Sequence, residues 1–332
     1  MMKRRIFLKY CICALAFFSI DGMGKILECA DSTLKFAVIS DIHPDIMYDG
    51  DFRLRSFLAE AEKNDVDFII ELGDFCYAKE ENRAFLSVWN RSVIADKYHV
   101  LGNHDMDQCS KEEYMRFVGM NTRYYSFDKG DFHFIVLDPN NMYINGKYIA
   151  YNKGNYFRYE KNRDYVDKEQ LDWLVSDLKG TDKRCILFSH ECLENVVKNG
   201  DVVRGILENE NKSCGFKKVV AAFSGHNHTN YTREINGIQY IQLNSASYQW
   251  VGEKYACPGR FNEGINTKRP AIKYTVPYKD PLYAIITLTH NSLSLKGRIS
   301  SFIPPTPTDL GIPDEFFLFP LVPWIKDFKM KF

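Results

Sequence analysis

The sequence predicts an α/β protein in which two β-sheets pack together with helices outside. Two observations carry this. Over residues 34–224, short β-rich apolar runs alternate with segments of helical spacing, and over the last third the chain turns β-rich. A third observation is compositional. The 332 residues are 45% apolar and 26% charged, ample for a sizeable core.

Residues 34–40 (LKFAVIS) read as a buried strand, and residues 52–63 carry Phe52, Leu54, Phe57, Leu58 and Ala61 at helical spacing. Residues 67–72 form a second strand, residues 82–95 a second helix and residues 98–101 a third short strand. Residues 124–128 and 132–137 form a hairpin about Lys129-Gly130. Residues 169–178 place Leu171, Leu174, Val175 and Leu178 on one helical face. Two further buried strands, 184–189 and 219–224, are separated by a helix near 202–208. Asn236-Gly237 between residues 231–235 and 238–243 is the strongest short hairpin signal. Residues 282–289 and 293–299 flank a last turn. From residue 303 the chain holds half its prolines, which predicts an extended arm docked on the body rather than a helix.

Lysine plus arginine and aspartate plus glutamate each number 43, so the formal net charge is zero. That balance excludes long-range attraction to a nucleic-acid duplex or an anionic membrane. The expected domains are a signal segment over 1–30, a body over 31–302 and the arm over 303–332. Lys3, Arg4, Arg5 and Lys9 precede a short apolar run, 10–20, too short to span a bilayer. This pattern reads as an export signal of general or twin-arginine type, with a periplasmic or extracellular destination for a bacterial protein. Nine cysteines show no framework spacing and no CxxC, so most read as small buried residues.

The chemistry concentrates in five patterns, each directly after an expected strand: Asp41-Ile42-His43, Gly73-Asp74, Gly102-Asn103-His104-Asp105, Ser189-His190 and Gly225-His226-Asn227-His228. Loops at the carboxyl ends of strands gather at one sheet edge, where ligand sites assemble. Packing so many carboxylates and imidazoles together is costly unless cations sit among them. Imidazole and carboxylate donors suit a pair of ions such as Mn, Fe, Zn or Co. Within Asp41–His43 and His226–His228, a gap of one residue aims both side chains the same way if the backbone is extended.

Together these blocks resemble the calcineurin-like metallophosphoesterase superfamily over about 34–298, with every ligand position filled. The resemblance implies a four-layer α/β/β/α sandwich and two divalent or trivalent metal ions, Mn, Fe or Zn. One ion would be held by Asp41, His43, Asp74 and His228, and the other by the shared Asp74 with Asn103, His190 and His226. His104 would be the general acid that protonates the leaving oxygen, with Asp105 orienting its ring, and a hydroxide between the metals would attack phosphorus. The expected activity is hydrolysis of small-molecule phosphate esters. A phosphodiesterase or pyrophosphatase acting on a nucleotide-type substrate, and more remotely a non-catalytic nucleotide- or sugar-binding protein, stay open.

Residues 140–167 hold six tyrosines with Arg158 and Arg163 between them, a long loop of the kind that carries function. Tyr156 and Arg158 are the candidates for substrate contact, by stacking and by bidentate pairing with phosphate. Tyr248 and Trp250 can extend that wall.

Overall fold

The structure is a computed structural model that describes residues 33–316 and 319–332. The expected export signal lies outside the described residues. None of the described helices is long and apolar enough to cross a membrane.

In the first half, β1 (Leu34–Ile39), α1 (Gly50–Lys63), β2 (Phe68–Glu71), α2 (Arg83–Asn90), β3 (Lys97–His99) and α3 (Lys111–Val118) follow in order. Next come β4 (Tyr125–Lys129), β5 (Phe132–Val136), a small hairpin of β6 (Asn141–Ile144) and β7 (Lys147–Ala150), α4 (Lys168–Lys179) and β8 (Arg184–Phe188). Then follow α5 (Gly200–Cys214), β9 (Val219–Ser224), β10 (Tyr231–Ile235), β11 (Ile238–Gln242), β12 (Tyr248–Trp250), α6 (Glu263–Lys268) and β13 (Thr275–Pro277). The chain closes with β14 (Ala284–Thr289), β15 (Ser292–Lys296), β16 (Glu315–Phe316), β17 (Phe319–Pro320) and β18 (Phe328–Lys331).

Two six-stranded mixed sheets result, β18-β15-β14-β1-β2-β3 and β10-β11-β9-β8-β5-β4. β1, β2 and β3 run parallel, as do β5, β8, β9 and β11; antiparallel strands complete each sheet. Strands buried on both faces need apolar residues at every position rather than alternate ones, which is why LKFAVI is continuous. Phe36 and Val38 of β1, with Phe68 beside them on β2, face the second sheet, where they meet Phe134, Phe188 and Phe223. Phe36 is the hub: it stacks on Phe68 at 4.8 Å and meets Phe134 and Phe188 edge-on at 5.8 Å each. Ala37 and Ile39, on the opposite face, pack under Leu54 and Phe57 of α1 and Trp89 of α2. The second sheet is covered in the same way by Leu174 and Leu178 of α4 and Val203 and Leu207 of α5. The architecture is therefore the expected pair of sheets between helices.

The structure differs locally from the sequence reading in three places. The expected 82–95 helix ends at Asn90, and Lys97–His99 is already strand. Residues 111–118 form a helix that the apolar pattern does not announce; Ser110 and Glu113 cap it reciprocally and Gly119 closes it at φ +83°. The tyrosine-rich loop is partly ordered as the β6–β7 hairpin, turned by Asn145-Gly146 with φ of +51° and +78°. The C-terminal segment supplies β18, an edge strand of the first sheet. Among the described cysteines, Cys76, Cys109, Cys185 and Cys192 are buried, Cys214 and Cys257 are half-buried, and all six are free.

Candidate metal centre and active site

The loops after β1, β2, β3, β8 and β9 meet at one edge of the paired sheets. Backbone bonds stitch them together: the Asp41 amide donates to Gly73 O at 3.1 Å, the His43 amide to Asp74 O at 3.3 Å and the Gly225 amide to His190 O at 3.0 Å. Beneath them, buried Glu71 accepts from the Gly73 amide at 2.8 Å and pairs with His99 Nδ1 at 2.7 Å, fixing the Gly73-Asp74 turn. A Cβ on Gly102 would lie 2.2 Å from the Asp74 amide nitrogen, so only glycine lets these two turns approach.

The paired residues do not converge by extended geometry. Asp41, His43, Asp74, His226 and His228 have φ of +54°, +47°, +55°, +69° and +50°. Each is a left-handed turn residue, a conformation that costs about 1–3 kcal/mol and persists where the surroundings dictate it. Two tight left-handed turns, rather than an extended pleat, therefore bring each pair to a common centre.

The seven expected donors come together. Asp41 Oδ1 lies 3.2 Å from His228 Nε2 and 3.8 Å from His43 Nε2. Asp74 Oδ2 lies 3.5 Å from His43 Nε2 on one side and 3.1 Å from His190 Nε2 on the other. Asn103 Oδ1 lies 3.2 Å from His190 Nε2 and 2.9 Å from His226 Nδ1. The other ring nitrogens are held from behind. His190 Nδ1 donates to Leu72 O at 2.7 Å and His228 Nδ1 to Tyr248 O at 2.8 Å, which aims each Nε2 at the carboxylates.

The chemistry of this set fits cations. Asp41 Oδ1 and His43 Nε2 are buried without a hydrogen-bond partner. Burial holds the His43 ring below its ordinary pKa, and burial with the neighbouring His190 takes His226 down to about 3, so both rings are neutral donors. Burial opposes charge on His190 as well, but Asp74 and Asp41 outweigh it and hold its pKa well above the ordinary value. The His190 Nε2 atom, turned towards these carboxylates, is one that would hold a cation. Asp41, His43 and His228 form one group with ligand atoms mutually within 4.8 Å; Asp41, Asp74 and His190 form another.

His104 stands on a 3₁₀ turn, Asn103–Met106, with its ring 5.5 Å from the His43 ring. Here the expected partner is corrected. Asp107, not Asp105, accepts from His104 Nδ1 at 2.8 Å. In a 3₁₀ turn residues i and i+3 eclipse, which puts Asp107 under the ring. Asp105 points back into the fold, where it accepts from the amides of Gly102 (2.8 Å), Phe75 (3.1 Å) and Asp74 (3.3 Å). Burial works against a charged His104, but the Asp74 charge and the Asp107 bond outweigh it and lift its pKa to about 9.

Tyr156 is buried, and its hydroxyl donates to Asp107 at 2.6 Å while accepting from Asn103 Nδ2 at 3.1 Å. One tyrosine thus turns the Asn103 oxygen toward His190 and His226 and holds the carboxylate that orients His104. Arg158 is exposed at the end of its 3₁₀ turn and is not part of the cavity wall; Arg163, over the Tyr156 ring at 5.8 Å, is. The cavity above the donors measures about 840 Å³. Besides the donors it is walled by Phe157, Tyr248, Trp250, Phe316 and Phe319. The last two come from the C-terminal segment, whose place at the site no local sequence pattern announces.

Comparison with known proteins places this geometry. The calcineurin-like phosphoesterase family model matches residues 34–230. No curated protein sequence matches the chain. Among solved structures, a dimetal phosphatase from Danio rerio is 17% identical, covers 81% of this chain and 98% of its own, and superposes with a TM-score of 0.54, which shows a shared fold. Purple acid phosphatase from yellow lupin (Lupinus luteus) seeds is 15% identical with a TM-score of 0.47; the match covers 81% of this chain and 52% of the lupin enzyme, about half its length. With over half its length matched and its Asp, Asn and His donors gathered at one sheet edge, the chain belongs to the calcineurin-like phosphoesterase family of metal-dependent phosphoester hydrolases.

Proposed function

We propose that the chain hydrolyses phosphate esters of a bulky organic alcohol at a centre of two metal ions, with His104 protonating the leaving oxygen. Asp41, His43, Asp74 and His228 would hold one ion, and Asp74, Asn103, His190 and His226 the other. The observation that carries the reading is the place of Asp74 Oδ2, between His43 Nε2 at 3.5 Å and His190 Nε2 at 3.1 Å. One carboxylate in that position serves both donor groups.

When bound, such an ion pair supplies an activated water and offsets charge on the phosphoryl oxygens. The chain's own residues do the rest. His104 donates its Nδ1–H to Asp107 and lines the cavity, which leaves Nε2 as the atom to deliver a proton to the departing alkoxide. Asp107 is steadied by Tyr156 at 2.6 Å and by Tyr77 at 3.2 Å, so the ring keeps one orientation. The aromatic wall of Phe157, Trp250, Phe316 and Phe319 excludes water around the organic part of the ester, and the cavity volume suits a ligand of nucleotide size.

The test is turnover by the metal-stripped and Mn²⁺-loaded chain of p-nitrophenyl phosphate and its bis ester, followed by a panel of nucleotide and sugar phosphates. The reading predicts no turnover after stripping, and restoration by Mn²⁺ on at least one ester. The better of the two nitrophenyl compounds distinguishes monoester from diester chemistry. A loaded chain inert toward every ester tested contradicts it.

A further inference from the structure

Glu191 follows His190 directly on the loop after β8. Its side chain is fully buried, and neither carboxylate oxygen has a hydrogen-bond partner. Among the described residues, no lysine or arginine forms an ion pair with it. The other buried carboxylates beneath the site are otherwise engaged. Asp74 Oδ1 accepts from the His104 amide, Asp41 Oδ2 from Ser40, Asp105 from three amides, and Glu71 from His99 and Gly73. Neighbouring Asp164 accepts from Tyr151 at 2.7 Å. A carboxyl group buried with no hydrogen-bond donor at either oxygen has acceptor capacity that a cation would satisfy.

The geometry supplies the place for one. An oxygen of Glu191, a ring nitrogen of His190 and a ring nitrogen of His226 all lie within 4.8 Å of one another. These two histidines are half of the donor set assigned above to the second metal position. We propose that Glu191 is a fifth protein donor to the ion held by Asp74, Asn103, His190 and His226, an assignment that rests on the two-metal reading. The consequence is selectivity. Zinc favours four donors in a tetrahedron, whereas three oxygens and two imidazoles, two of the oxygens from carboxylates, suit a harder ion of higher coordination number such as Mn²⁺ or Fe. The two positions then differ in kind, and the Glu191 position prefers the harder ion.

The test compares wild type with Glu191→Gln, which keeps the shape and removes the charge. Both chains are stripped, checked for folding by thermal melting, and titrated with Mn²⁺ and with Zn²⁺ under equilibrium dialysis, with bound metal counted by elemental analysis. The proposal predicts two Mn²⁺ per wild-type chain. In Glu191→Gln one of the two binds at least about tenfold more weakly, the lower end of what a lost metal-site partner costs, and Zn²⁺ is affected less. Unchanged affinities at both positions overturn the Glu191 assignment while leaving the two-metal reading intact. A wild-type chain that binds no ion overturns both. If Glu191→Gln does not fold, a crystal structure of the Mn²⁺-loaded wild type decides. A Glu191 oxygen on the ion supports the proposal, and a carboxylate turned away from it overturns it.

Discussion

Replacing Asp74 by alanine is expected to empty both metal positions at once and to cut turnover by more than about 10³-fold, the scale on which one preorganised electrostatic contact counts. Asp74 Oδ2 lies 3.5 Å from His43 Nε2 and 3.1 Å from His190 Nε2, nearer to both than Asp41 Oδ1, which is 3.8 Å and 3.9 Å from the same two atoms. Its second oxygen accepts from the His104 amide at 2.8 Å, tying its own turn to the turn that carries His104. Asp74→Asn separates the charge from the fold. Asparagine keeps the acceptor for His104 and tolerates the left-handed φ of +55°. Both variants should melt, when stripped, within a few degrees of the stripped wild type. What they should lose is the rise in melting temperature on adding Mn²⁺, because a ligand that no longer binds the native state cannot stabilise it. Retention of two ions per chain in Asp74→Ala would refute the shared carboxylate.

His104→Ala should behave in the opposite way. His104 contributes no donor to either metal group, and its backbone amide, the part that touches Asp74, survives the substitution. Two ions per chain are therefore expected. Turnover of alkyl phosphates should fall by about 10²–10⁴-fold, the usual contribution of a positioned acid. Nitrophenyl esters, whose leaving group needs little protonation, should lose far less, so the dependence of rate on leaving-group pKa steepens. Asp107→Asn should share the pattern at smaller size, since it loosens the ring without removing it. A loss of equal size for every ester, or one that tracks metal loss, would assign His104 a structural task instead.

Much of this was legible in the chain because the strands are buried on both faces. Continuous short β-branched runs such as LKFAVI and VVAAFS fit strands buried on both faces, and the candidate donors lie just beyond them. What stayed hidden depends on local backbone geometry that apolar spacing does not encode. Asp107 becomes the partner of His104 only once the Asn103–Met106 segment is a 3₁₀ turn, and the left-handed conformations of Asp41 and His43 follow from the loops that clamp them. The α3 helix and the β6–β7 hairpin did carry signals, Ser110-x-x-Glu113 and Asn145-Gly146, outweighed by a polar helix face and by the length of the tyrosine-rich loop. The sequence reading favours Arg158, whereas Arg163 lines the cavity, because only packing decides which of two nearby cations faces it. The role of Glu191 likewise rests on burial, a property its neighbours along the chain do not reveal.

The claim beneath all of these expectations is that seven side chains on five loops hold a pair of metal ions. Elemental analysis of the purified, Mn²⁺-loaded and extensively dialysed wild-type chain tests it most directly. The account predicts two equivalents of transition metal per chain; a content of one or none would contradict it.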